Sequence, residues 1–323
     1  MKRRLSALLL IAALCVPGSG RAYPEYPDRS VRIVVGAPAG DAIDIQARLV
    51  AHPLSRYFKR PFTVENYAGR MGNVAAARVA KAPGDGHTLL VVSATFATNV
   101  SLHPDLPYRP LRDFVPIARL STFQHVLVVN SESDARTLAE FLALVRASPG
   151  RITIASGGTG TTSHLAMEFL KMRAGWLNAL HVPYRSNSHA LADVLGNHVH
   201  AVLTNVPSVQ GHVASGRLRA LAVASGKRLP ALPDVPTFVE SGFPGLAASG
   251  WSGVVAPAGT PYDTVVRLNL AIGEALSSPL MKQRFATQGA EVRHETPERF
   301  SEYLHEELEK WTKVAKASGY ALE

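Results

Sequence analysis

The chain has 323 residues, long enough for two hydrophobic cores, with 46% apolar and 18% charged residues. That is the balance of an ordinary globular protein rather than a disordered or membrane-embedded one. Its formal charge is +9, yet no lysine- and arginine-rich run with interleaved aromatics occurs, which argues against nucleic acid as a partner.

The N-terminus stands apart. Lys2, Arg3 and Arg4 precede the apolar run Leu8–Leu14, followed by Pro17 and the small-residue site Gly20-Arg21-Ala22. This is the pattern of a secretory signal peptide cut before Tyr23, and the run is too short to span a bilayer. Cleavage removes four basic residues, leaving a formal charge of +5, and takes away Cys15, the only cysteine. The mature chain then has no disulfide and no cysteine metal site. Leu14, just before Cys15, is not the small residue that a lipobox wants.

Beyond residue 30, short β-branched runs alternate with helical patterns, which predicts α/β architecture with mainly parallel sheets. Val31–Val35 reads as a strand, Gly36–Gly40 as a glycine loop, and Ile43, Ala47, Val50, Leu54 and Phe58 as the apolar stripe of a helix. Further strands are predicted at Phe62–Glu65, Thr88–Ser93 and Val126–Asn130, and Pro104–Pro116, with four prolines, as an extended surface connection. A helix follows at Leu138–Ala147. A second strand–glycine loop–helix turn runs from Ile152 through Ser156-Gly157-Gly158-Thr159-Gly160-Thr161-Thr162-Ser163 into Leu165, Phe169 and Met172. Val199–Leu203 and Leu218–Ala224 read as buried strands, Leu229–Pro236 as a rigid loop before a short helix, and, after the run Val254–Pro257, 262–277 and the Phe300–Ala315 stripe as the last helices.

Each glycine loop sets a helix N-terminus, with its unpaired amides and positive dipole end, where an anion can sit. Neither loop is a nucleotide fingerprint: the first lacks the Lys-Ser/Thr ending of a P-loop, the second the Gly-x-Gly-x-x-Gly spacing. A tight turn needs no hydroxyls, and the second loop has Ser156, Thr159, Thr161, Thr162 and Ser163. The twelve histidines show no metal spacing, and no Gly-x-Ser-x-Gly elbow occurs. The chain is therefore read as a binding protein rather than an enzyme, without metal or cofactor.

Several ordered blocks carry a resemblance: Tyr26–Val35, Pro38-Ala39-Gly40, Gly84–Leu90, His181-Val182-Pro183-Tyr184, Gly216–Val223 and Leu232–Thr237. From Tyr26 to its end the chain resembles the periplasmic solute-binding receptors of tripartite tricarboxylate transporters, the Bug receptors. The resemblance implies a two-lobed, hinged Venus flytrap of the type II-like periplasmic binding proteins, with a central ligand cleft. Residues 1–22 would be the signal peptide, 23–122 with 251–323 lobe one, and 123–250 lobe two. It implies capture of a small organic acid in the periplasm by a monomer, and delivery to membrane transporter subunits. The alternative is a receptor of the same shape that signals to a membrane sensor kinase.

Ligand contacts implied by the resemblance are Pro38, Ala39, Gly40, Asp41 and Asp44 in the first loop, and Ser93. The second loop would add Ser156, Thr159, Gly160, Thr161, Thr162 and His164, and beyond it stand Tyr184, Thr204 and Asn205. The family's Pro-x-Gly-Gly-x-x-Asp is here Pro38-Ala39-Gly40-Asp41-Ala42-Ile43-Asp44, so an aspartate replaces a glycine. Asp41 is read either as a helix N-cap or as a carboxylate beside the anion seat, which would repel an acid or pair with a ligand amine. Thr204 stands where the family has an acid.

Overall fold

The computed structural model describes residues 26–318 except 104, 247 and 248; the signal-peptide reading and Cys15 fall outside these. Among the described residues ten strands occur in chain order: β1 Val31–Val35, β2 Phe62–Asn66, β3 Thr88–Ser93, β4 Phe114–Asn130, β5 Thr153–Ser156, β6 Leu180–Pro183, β7 Ala201–Asn205, β8 Leu218–Val223, β9 Ser249–Pro257 and β10 Glu291–Val292. They form one mixed sheet ordered β2-β1-β3-β9-β4-β7-β5-β6, with β8 and β10 also pairing β4. Near-continuous apolar strands such as Val31–Val35 and Thr88–Ser93 are buried along most of their length, as expected of strands covered by helices on both faces.

Strand β4 holds the two ends of the sheet together. Its first part pairs antiparallel with β9, from Phe114 opposite Pro257 to Gln124 opposite Ser249. From His125, opposite Asn205, the same strand pairs with β7 along one edge and, from Val126, with β8 along the other. The β1–β2, β1–β3, β5–β6 and β5–β7 pairs are parallel. The expectation of mainly parallel sheets therefore holds only at the two ends. The middle is antiparallel because β4 and β9 traverse it in opposite directions.

The proline-rich stretch also differs from expectation. Tyr108, Pro110 and Phe114 are buried, Pro110–Asp113 is a short helix, and β4 begins at Phe114. Pro116 lies inside β4 where the register shifts, the bulge position at which a sheet tolerates proline. Residues 237–242 form a turn rather than a short helix, closed by Ser241 N–H donating to the Thr237 carbonyl at 3.1 Å.

The C-terminal helix Pro297–Ser318 packs on β4 and on the helices Thr95–Leu102 and Thr162–Arg173. It is anchored by Glu307, whose buried Oε2 accepts both indole N–H groups, from Trp251 at 3.0 Å and from Trp311 at 2.9 Å. No described helix is long and apolar enough to cross a membrane.

Candidate ligand-binding cleft

The first glycine loop is built around a buried carboxylate. Gly36 sits so close to Gly72 that an added β-carbon would lie 2.5 Å from the Gly72 Cα. Gly40, at φ +84°, then turns the chain, and Asp41 caps the helix Ala42–Phe58 by accepting the Ile43 amide at 3.0 Å. Asp44, only 1% exposed, lies behind the loop. Its oxygens accept from the Gly40 amide at 2.8 Å, from Arg48 Nε at 2.9 and 3.1 Å, and from Asn66 Nδ2 at 2.9 Å. Burial pushes this carboxyl upward, but the hydrogen bonds from Arg48, Gly40 and Asn66 outweigh it and hold it below the usual range.

The second loop is built around stacked histidines. Ser156, at the end of β5, accepts the Gly158 amide at 3.2 Å and shares a 2.7 Å hydrogen bond with His181 Nε2. Thr161 caps the helix Thr162–Arg173: it accepts the His164 amide and donates to the Gly158 carbonyl at 2.7 Å. His164 Nδ1 accepts the Gly160 amide at 3.0 Å, and its ring stacks on His181 with centroids 4.0 Å apart. Burial holds both rings neutral, His164 pushed down to about 3 and His181 to about 4. Thr162 Oγ1 reaches His125 Nε2 at 2.9 Å, tying this loop to β4.

The two loops meet across the helix Thr95–Leu102. Thr98 Oγ1 donates to the Gly160 carbonyl at 3.0 Å. Beside this contact lies a cavity of about 210 Å³ whose lining includes Asp41, Met71, Ser93, Asn99, Tyr108 and Thr161. It is small for a ligand pocket, which commonly exceeds about 300 Å³, and so fits a compact molecule. Among the described residues, Asp41 is the sole charged one in its lining. A wider depression of about 650 Å³ between Val115, Tyr262 and His305 lies on the outer face and includes neither loop.

Of the residues singled out in the sequence, Asp41, Ser93 and Thr161 line the cavity. Pro38, Ala39 and Gly40 are exposed, and Thr159 is half-buried. Asp44, Ser156, Thr162, His164 and Thr204 are buried, and the first four hold the loops from behind. Thr204 lies within the sheet, on β7. Tyr184 donates to Asp193 Oδ2 at 2.5 Å, and Asn205 Oδ1 accepts the Ser208 hydroxyl at the start of the helix Val206–Ala214. Asn99 and Tyr108 line the cavity without having been anticipated. The available signal was the polar pair Thr98-Asn99 in the Phe96–Leu102 stretch, where Ser101 is also polar. Among the described residues, no cluster of His, Cys, Asp or Glu has the makings of a metal site.

Comparison with known proteins gives the same picture along almost the whole chain. Residues 46–320 match the model of the tripartite tricarboxylate transporter family receptor. The protein BugT of Bordetella pertussis is 35% identical over 324 residues, covering 98% of this chain and 99% of BugT. The structure of Rhodopseudomonas palustris Rpa4515 with adipate aligns with a TM-score of 0.81 at 32% identity, covering 93% of this chain and all of that one. MatC of the same organism, with bound malate, gives a TM-score of 0.78 at 31% identity, covering 90% of this chain and all of that one. The structural neighbours are periplasmic binding proteins, and the fold shared with them is the two-lobed one. The chain belongs to the tripartite tricarboxylate transporter receptor family, a family of solute-binding receptors and not of enzymes.

Proposed function

We propose that the chain captures a small carboxylate or related organic acid in the periplasm and delivers it to the membrane subunits of a tripartite transporter. The observation that carries this reading is the small cavity walled by two strand–glycine loop–helix turns, with Thr161 from one and Asp41 from the other. Hydroxyls and backbone amides at such turns receive a carboxylate without any lysine or arginine. Relatives with bound adipate and malate support the ligand class.

In this reading the molecule is a monomer with lobe one formed by 23–122 and 251–323 and lobe two by 123–250. The lobes flex where β4 changes partners after Gln124, and a ligand that touches both walls favours the closed form through those added contacts. The test is a thermal-shift panel of mono-, di- and tricarboxylates on protein freed of carried-over ligand. A ligand of the native state raises the melting temperature by mass action. Absence of any shift across the panel at millimolar acid overturns the proposal.

A further inference from the structure

Among the described residues, the cavity lining holds one charge and no opposite one. Asp41 is exposed and lines the cavity from the first loop, and no lysine, arginine or histidine lines the same space. Its amide donates to the Pro38 carbonyl at 3.2 Å, its own carbonyl accepts the Ile45 amide at 2.9 Å, and its Oδ1 accepts the Ile43 amide at 3.0 Å. The polar atom it has left to offer is Oδ2, which a ligand can reach because the residue is open to solvent. Ser93, Thr95, Tyr108 and Thr161 bring hydroxyls to the lining. A hydroxyl both donates and accepts, so it serves a carboxylate and an ammonium group alike, and the choice of charge falls to Asp41.

The two walls therefore differ in charge. The helix Ala42–Phe58 starts from the Asp41 carboxylate, which offsets the positive dipole end there, whereas the helix Thr162–Arg173 starts from the neutral Thr161 and has no acid in its first turn. A ligand carboxylate is repelled at the first wall and received at the second. The cavity, about 210 Å³, is roughly 7 Å across, so a ligand filling it lies within about one Debye length, ~8 Å, of Asp41. We propose that Asp41 makes this a site for zwitterions, acids that also carry an ammonium group, in preference to dicarboxylates. The carboxylate sits at the second loop and the ammonium group faces Asp41. This rests on the carboxylate reading above and narrows it.

Titration calorimetry on ligand-free protein at neutral pH tests this with acids of equal carbon number that differ in the charge of one group. For chains of three, four and five carbons the set is the plain acid, its 2-amino and terminal amino derivatives, and the dicarboxylate; at four carbons these are butyrate, 2-aminobutyrate, 4-aminobutyrate and succinate. At the length that fits, the better amino derivative is expected to bind at least about tenfold tighter than the dicarboxylate, since Asp41 attracts an ammonium group where it repels a second carboxylate. Asp41→Asn keeps the N-cap and removes the charge. It is expected to weaken the amino acid and to tighten the dicarboxylate, bringing the two within about threefold. A residue that only shapes the loop would move both affinities in one direction, and that result overturns the proposal. A plain acid or dicarboxylate that binds the wild type as tightly as the amino derivatives also overturns it and leaves acid binding standing. If Asp41→Asn does not fold, the wild-type ratios still decide. Silence from every acid removes the carboxylate reading and this inference with it.

Discussion

Thr98 donates its hydroxyl to the carbonyl of Gly160, 62 residues further along the chain, and this 3.0 Å contact joins the two walls of the cleft. Gly160 also sits at φ +81°, where an added β-carbon would stand 2.7 Å from the Met71 methyl and 2.8 Å from Leu102 Cδ1. Glycine is therefore needed there twice, for the backbone angle and for the approach. Gly160→Ala is expected to lower affinity for the bound acid at least about tenfold, with about 1–2 kcal/mol lost from stability. Thr98→Val, which keeps the shape and removes the hydroxyl, is expected to cost several-fold in affinity, as a net hydrogen bond of about 1 kcal/mol implies. Calorimetry checks both; unchanged affinity in both variants would show that this contact plays no part in closure.

Asp44 holds the first glycine loop from behind. Its oxygens are occupied by Gly40, Arg48 and Asn66, and it is turned behind the first wall. Asp44→Ala leaves the Gly40 amide and the Asn66 side-chain amide without this acceptor. The expected outcome is a loss of about 1–3 kcal/mol in urea unfolding together with weakened ligand binding. Asp44→Asn keeps one acceptor and should fall between. A variant that loses ligand with no loss of stability would instead assign Asp44 a direct contact.

Asp44 also shows where the sequence stopped being informative. Its spacing from Pro38 and Gly40 is visible in the chain, and so is its match to the family pattern. Which way its carboxylate points depends on Arg48 one helical turn later and on Asn66 at the end of β2, and no local pattern encodes that. The helices were legible because their apolar stripes are periodic, as in Ile43–Phe58. The strand β4 was half hidden, because Pro116, a residue that normally ends strands, sits at its bulge and Pro110 lies shortly before it. Asn99 was missed for a related reason: a single asparagine in a short helix has meaning only once Met71, Asn73 and Tyr108 are brought around it. Asp41 was posed as cap or ligand group, and the geometry supplies the cap while also placing the residue at the cavity.

The single carboxylate Glu307 holds two buried indoles, and its other oxygen accepts from Lys310 Nζ at 3.0 Å. Glu307→Ala would leave two indole donors unpaired in the core, so the expected loss is about 2–4 kcal/mol. Glu307→Gln keeps an acceptor oxygen and should cost less. Chemical unfolding followed by tryptophan fluorescence reads both, since Trp251 and Trp311 report directly on the site. Equal stability of wild type and Glu307→Ala would mean that the indoles find other acceptors.

Three histidines tie the second loop to its supports, and each is held neutral mainly by burial. His125 is pushed down to about 4, His164 to about 3 with His181 and Lys171 adding to the effect, and His181 to about 4. In the unfolded chain each titrates near 6.5. Below pH 6.5 the unfolded state takes up protons that the folded state refuses, so stability is full above that value and falls as pH drops towards 4. His125 and His164, the more buried two, can each contribute a slope of up to about 1.4 kcal/mol per pH unit, and the partly exposed His181 contributes less. The depressed Asp44 carboxyl acts in the same direction but only below about pH 4, which leaves the interval from 6.5 to 4.5 to the histidines. The urea midpoint should therefore decline steadily across that interval, and His125→Gln should make the decline shallower. A midpoint constant from pH 7 to 4.5 would mean that these rings accept protons in the folded state, and that the second loop does not depend on their neutrality.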